Sequence, residues 1–182
     1  TDDSPELHAE DTFKGGDGKG DMKVINVMTH NALSAAEWCR DYLGVRFEPD
    51  NLFFFGGHSR KRALIPFGHT GTEFISKFQA KADELGIPVI TNMKAEELVK
   101  DSSGRVVGVR ATMAGESYTF SAKGGVVLAT GGFGANPQMV KKFNPSIDER
   151  FKTTDAPGAT GEALYMAERA GAELVNMQYI QT

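Results

Sequence analysis

A single cysteine, Cys39, stands in 182 residues. One thiol excludes an internal disulfide and any cysteine-built metal cage. Beside Trp38 in a helical pattern, it reads as a small core filler rather than a nucleophile. No apolar run approaches the ~20 residues that span a bilayer. Positive charge is not in excess either. A net charge of -4 and a pI near 5.6 offer no global attraction to nucleic acid or anionic membranes. Any anionic small substrate must therefore be drawn in by local cations. Carboxylates do not cluster, and His8 and His30 read as surface or helix positions, so no metal site is expected. The glycine-rich run Gly15-Gly16-Asp17-Gly18-Lys19-Gly20 lacks the preceding strand and the G-x-G-x-x-G spacing of a dinucleotide-binding turn, and reads as a flexible connection. Internal repeats and low-complexity tracts are also missing.

What is present describes an ordinary globular chain, 40% hydrophobic and 24% charged. The length suffices for one domain or for parts of two. Beginning at Thr1 and ending just after a strand-like run, it is expected to be the middle piece of something longer. Ser4 and Pro5 open a short helix. Asp21 caps a longer one reaching Leu43, with Val24, Met28, Ala35, Trp38, Cys39 and Tyr42 at helical spacing. Residues 53–66, crowded with aromatics and cations, read as a loop. A helix over 72–85 carries Phe74, Ile75, Phe78, Ala82 and Leu85 on one face. Strand signals follow at 87–91, 95–99, 106–111 and 118–122, with Asp101-Ser102-Ser103-Gly104 as a turn inside a meander. Helices are expected over 137–143, capped by Asn136, and over 160–170, ended by Gly171. A last strand is expected over 174–180.

The most informative stretch is Gly125-Val-Val-Leu-Ala-Thr-Gly-Gly-Phe-Gly134. A continuous apolar run predicts a buried parallel strand over 126–129. It ends in an Ala129-Thr130-Gly131-Gly132 corner, where missing β-carbons permit a sharp turn and close approach of a ligand. On open α/β sheets, ligands gather outside the carboxyl ends of strands. Thr160-Gly161-Glu162 reads both as a helix start and as a terminus able to attract polar cofactor groups.

Three segments in order, Val126 to Gly134, Pro157-Gly158-Ala159-Thr160-Gly161-Glu162 and Met177-Gln178-Tyr179-Ile180-Gln181, resemble the flavoprotein family of soluble fumarate reductases, flavocytochrome c and urocanate reductase. The resemblance runs over nearly the whole chain, starting around Glu10 to Gly16. It implies an α/β fold, a partial Rossmann-like FAD-binding domain with a β-meander and flanking helices. Residues 1–182 would be the central part of that domain, without its N-terminal dinucleotide-binding strand and turn or the downstream capping domain. It further implies that Ala95 offers backbone to the adenine and that Ala129, Thr130, Gly131 and Gly132 line the adenosine side. Thr160, Gly161 and Glu162 would face the ribityl and flavin region. Where the family has Asp-Gly after Thr-Gly, this chain has Glu162-Ala163.

The implied activity is flavin-dependent reduction of the activated double bond of an unsaturated carboxylate. The family's proton-donating arginine belongs to the capping domain, so no catalytic residue is assigned. Phe55, His58 and Gln181 fall on the substrate side. Phe54 and Phe55 stand where fumarate reductases carry methionines, which suits an aryl or imidazolyl acrylate such as urocanate, although a phenylalanine triplet also packs readily beneath a loop. His58, Arg60 and Arg62 read equally as carboxylate-gripping cations or as a solvated basic loop. The family's electron donors are haem domains, FMN domains or separate proteins. Export is common among its members, which favours a periplasmic or otherwise exported location over a cytoplasmic one. Alternatives are a related FAD-dependent dehydrogenase or oxidase, and a non-catalytic binding module.

Overall fold

A computed structural model describes residues 2–148 and 150–181. The chain forms two compact units, Thr1–Val89 and Ile90–Thr182. The architecture is mixed helix and sheet, with a β-meander and helices beside it. Among the described residues no helix is long and apolar enough to cross a membrane.

The first unit opens with α1 (Pro5–Gly15), started by the Ser4 hydroxyl accepting the Leu7 N–H at 3.1 Å and by proline in the first turn. α2 (Met22–Asp41) starts on Asp21, whose carboxylate accepts the Lys23 N–H. The two helices pack on each other. Their buried residues are Ala9 and Asp11 of α1 and Ile25 and Thr29 of α2. The inward face of α2 is therefore not the expected one, since Val24, Met28, Trp38 and Tyr42 are exposed. The helix carries two apolar stripes, and α1 covers only the one through Ile25.

Residues 53–66 are not all loop. β1 (Phe47–Phe53) and β2 (Ala63–Pro66) pair antiparallel, with Leu52 opposite Leu64 and Phe53 opposite Ala63. α3 (Thr72–Glu84) has the predicted extent but not the predicted buried face. Ile75 is 69% exposed, whereas Glu73 is buried. Glu73 accepts the Arg46 backbone N–H at 2.9 Å and its guanidinium at 3.0 and 3.1 Å.

In the second unit β3 (Lys94–Lys100), β4 (Val106–Met113) and β5 (Glu116–Ser121) make the predicted meander, in the order β3-β4-β5. Ala114 and Gly115, both at positive φ, form the two-residue turn between β4 and β5. α4 (Pro137–Phe143) begins on Asn136, whose side chain accepts the Met139 N–H. α5 (Glu162–Ala170) packs on β3. It starts later than expected because Gly161 sits left-handed at its N-cap, so Thr160 caps no helical N–H.

Three predicted strands, 87–91, 126–129 and 174–180, form no ladder with other described residues. Apolar runs supply side chains for a buried strand, but a strand exists only against a hydrogen-bonding neighbour. Val127, at 88% exposed, has none of the cover its sequence asks for.

The first unit is also tuned to pH. The Ser59 backbone N–H foremost, and Arg62 behind it, hold the Asp11 carboxyl down at about 2. Arg46 likewise holds Glu73 at about 2. Both folded-state values lie below the ordinary carboxylate range of about 3.9–4.3. Their stabilisation is thus complete above that range and is lost as pH falls through it toward 2. The urea midpoint, followed by Trp38 fluorescence, is expected to fall steeply between roughly pH 4.5 and 2. A midpoint unchanged across that window would contradict the assignment.

Candidate functional site

In the second unit, three short segments converge. The backbone from Gly125 to Gly132 makes no hydrogen bond to other described residues. Gly131 has φ 75, and a β-carbon there would meet only open space. Just beyond, the Ala135 N–H donates to the Ala159 carbonyl at 2.9 Å, and Asn136 Nδ2 donates to the Thr160 carbonyl at 2.8 Å. These two bonds tie the corner after residue 129 to the start of α5.

Gly161 closes the joint. Its φ is 80, and a β-carbon would lie 2.5 Å from Met139 Sδ and 2.7 Å from Phe133 Cβ. Only glycine fits both the conformation and the space. The Thr160 hydroxyl donates a very short hydrogen bond to Glu162 Oε2. That bond foremost, then the Glu162 backbone N–H and the charge of Lys94, hold the Glu162 carboxyl below its usual range. Lys94 immediately precedes Ala95, so the β3 end and the α5 start lie within electrostatic reach. β3 is an edge strand, with one side of its backbone outside the ladder.

These contacts link one group: Thr160, Gly161 and Glu162 at the α5 start, joined to the residues just after Ala129, Thr130, Gly131 and Gly132, with Glu162 near Lys94, the chain neighbour of Ala95. Gln181 does not join it through any bond. It is exposed, outside any element, and without a hydrogen bond to other described residues. A cavity of about 320 Å³ between β3 and α5, lined by Glu97, Leu98, Lys100, Met166 and Arg169, includes none of the expected site residues.

In the first unit, Phe55 and His58 lie on the loop 54–62 between β1 and β2. Phe55 meets Phe53 edge-on at 4.8 Å and His58 at 6.2 Å, yet remains 51% exposed. Arg62 is not free to grip a substrate. Arg60 pairs with Asp2 at 2.9 Å. Arg62, with a side chain only 8% exposed, forks onto Asp3 at 2.8 and 2.9 Å and reaches Asp11 at 2.6 Å. Asp11 also accepts the Ser59 N–H and hydroxyl, each at 2.8 Å. This anchor was not visible in the sequence. Asp11 and Arg62 are 51 positions apart, and no local pattern links them.

The profile of the FAD binding domain family matches residues 1–182. The chain belongs to the FAD binding domain family. It is 49% identical over 99% of its length to a urocanate reductase of Eggerthella lenta, and 34% identical over 98% to a fumarate reductase (cytochrome) of Shewanella frigidimarina. It spans 30% and 31% of those two proteins. Among solved structures, the open conformation of a flavocytochrome c3 fumarate reductase superposes with a TM-score of 0.86 at 30% identity, over 94% of this chain and 30% of that one.

FAD is the cofactor of this family member. The corner suits such a group on its own geometry. A left-handed glycine facing open space lies in the segment that Ala135 and Asn136 join to the helix start. Both the glycine and the helix start favour close approach of a polar, phosphate-bearing molecule.

Proposed function

We propose that this chain is the central part of the FAD-binding domain of an ene-reductase acting on an unsaturated carboxylate, urocanate-like or fumarate-like. The observation that carries this reading is the 49% identity with urocanate reductase along 99% of the chain. FAD, when bound, supplies the hydride for the double bond. Ala129, Thr130, Gly131 and Gly132 would hold the adenosine side through main-chain groups, with Ala95 beside the adenine. Thr160, Gly161 and Glu162 would take the ribityl side. The acidic Glu162, kept charged by the Thr160 hydroxyl, would accept a hydrogen bond from a ribityl hydroxyl there.

Phe55 and His58 would face substrate. The half-exposed Phe55 ring is available for stacking, worth ~0.5–1.5 kcal/mol beyond area burial, which favours a ring-bearing acrylate over fumarate. Electrons would reach the flavin from a haem domain, an FMN domain or a separate protein.

The test is to purify the protein with any natural flanking sequence, read its flavin absorbance, and compare urocanate and fumarate reduction with a reduced viologen dye as donor. Bound FAD with faster turnover of urocanate is expected. A colourless protein would end the cofactor assignment, and faster turnover of fumarate would end the substrate preference.

A further inference from the structure

His58 is held from two sides. On one, its ring meets His8 of α1 edge-on at 6.1 Å, and on the other Phe55 at 6.2 Å. Its backbone N–H donates to the Phe55 carbonyl at 3.2 Å. The next residue, Ser59, is bound through both its N–H and its hydroxyl to Asp11, one helical turn after His8. One nitrogen of the ring, Nδ1, is buried with no hydrogen-bond partner among the described residues. The ring as a whole is only half-buried, so its open edge is the one carrying Nε2.

A neutral imidazole carries one proton, on one nitrogen or the other. Placed on Nδ1, the proton would make a buried donor with no acceptor, which native interiors rarely tolerate. Placed on Nε2, it leaves Nδ1 a bare acceptor, which a buried position tolerates better than an orphaned donor. From this arrangement we infer that His8 and Asp11 are positioning residues, which clamp His58 so that it presents Nε2–H as a fixed donor to the substrate.

The inference rests on the functional reading above for the identity of the bound molecule, and only for that. The clamp itself is a property of α1 and the loop 54–62. A donor aimed at the bare ring nitrogen of a urocanate-like substrate, away from the carboxylate onto which hydride addition pushes charge, acts nearly equally in the ground and transition states. Its loss therefore raises KM and leaves kcat nearly unchanged.

Two measurements on the protein with any natural flanking sequence test this. With ¹⁵N-labelled histidine, long-range proton–nitrogen NMR should show His58 protonated at Nε2, assigned by the signal lost in His58→Gln. In His8→Ala, water reaches Nδ1 and the two forms should mix. Steady-state reduction of urocanate should show KM raised about fivefold in His8→Ala and in Asp11→Asn, with kcat within about twofold, as for one neutral hydrogen bond. A proton on Nδ1 in the unsubstituted protein, or an unchanged KM in both variants, would overturn the inference. Failure of the unsubstituted protein to reduce urocanate or fumarate would sink the functional reading instead, and the NMR signal would still decide the clamp.

Discussion

Replacing Arg62 with methionine is expected to destabilise the Thr1–Val89 unit by about 3–5 kcal/mol, because it leaves two carboxylates without their cation. The guanidinium is 8% exposed, and Asp3 and Asp11 are 16% and 10% exposed. Methionine keeps much of the aliphatic volume, so the loss isolates charge from packing. Domains of this size are stable by only about 5–15 kcal/mol, and such a loss is a large fraction of the total. Arg40→Met is the matched control. Arg40 bonds Asp41 at 2.6 Å with both side chains more than half exposed. A solvated pair like this is screened by water and salt, so its loss should leave stability nearly unchanged. Urea unfolding followed by Trp38 fluorescence measures both. Equal losses in the two variants would mean that solvent reaches the Arg62 cluster as freely as it reaches the surface.

Asp11 also fixes Ser59, so this ion cluster ties the loop bearing Phe55 and His58 to the helix that precedes it by some fifty positions. The link explains why two acidic residues near the chain start matter to a loop of aromatics. Their charge is matched by Arg62 inside the protein, while Arg60 and Lys61 stay at the surface beside the rings of Phe55 and His58. A ring-lined surface suits an aromatic acrylate better than a small dicarboxylate.

Local chemistry made much of the fold readable. Ser4-Pro5, Asp21 and Asn136-Pro137 each start a helix where expected, since a cap needs only a side-chain oxygen and the next few N–H groups. The meander was legible for the same reason, its first turn being built on Asp101 hydrogen bonds to Ser103 and Arg105. Burial was not legible. α2 and α3 both carry apolar residues on more than one face, and which face turns inward depends on neighbours that periodicity does not name. The pairing of β1 with β2 was missed because a ladder is a non-local event. The three apolar runs expected as strands show the converse: their composition is right, and a hydrogen-bonding neighbour is what they lack. At the candidate site, the glycines and Thr160-Gly161-Glu162 stood out in the sequence. The bonds from Ala135 and Asn136 that bring those segments together did not, since they join residues 24 apart through main-chain carbonyls.

Gly131→Val is expected to weaken FAD binding on the order of a hundredfold, equivalent to ~2.7 kcal/mol. Valine would fill the open space over the corner and hold the nucleotide away from its unpaired main-chain groups. It would also strain a backbone at φ 75, costing ~1–2 kcal/mol of stability whatever the ligand does. Gly115→Val separates the two effects. Gly115 has φ 86 and open space around it, but it sits in the β4–β5 turn, outside the converging segments. It should carry the same backbone penalty and no ligand penalty. The decisive measurement is therefore an equilibrium FAD titration of both variants beside the unsubstituted protein, at a temperature where all three are folded. Weakened binding in Gly131→Val alone is the expected result; equal FAD affinity in all three would show that the glycine corner after residue 129 does not hold the cofactor.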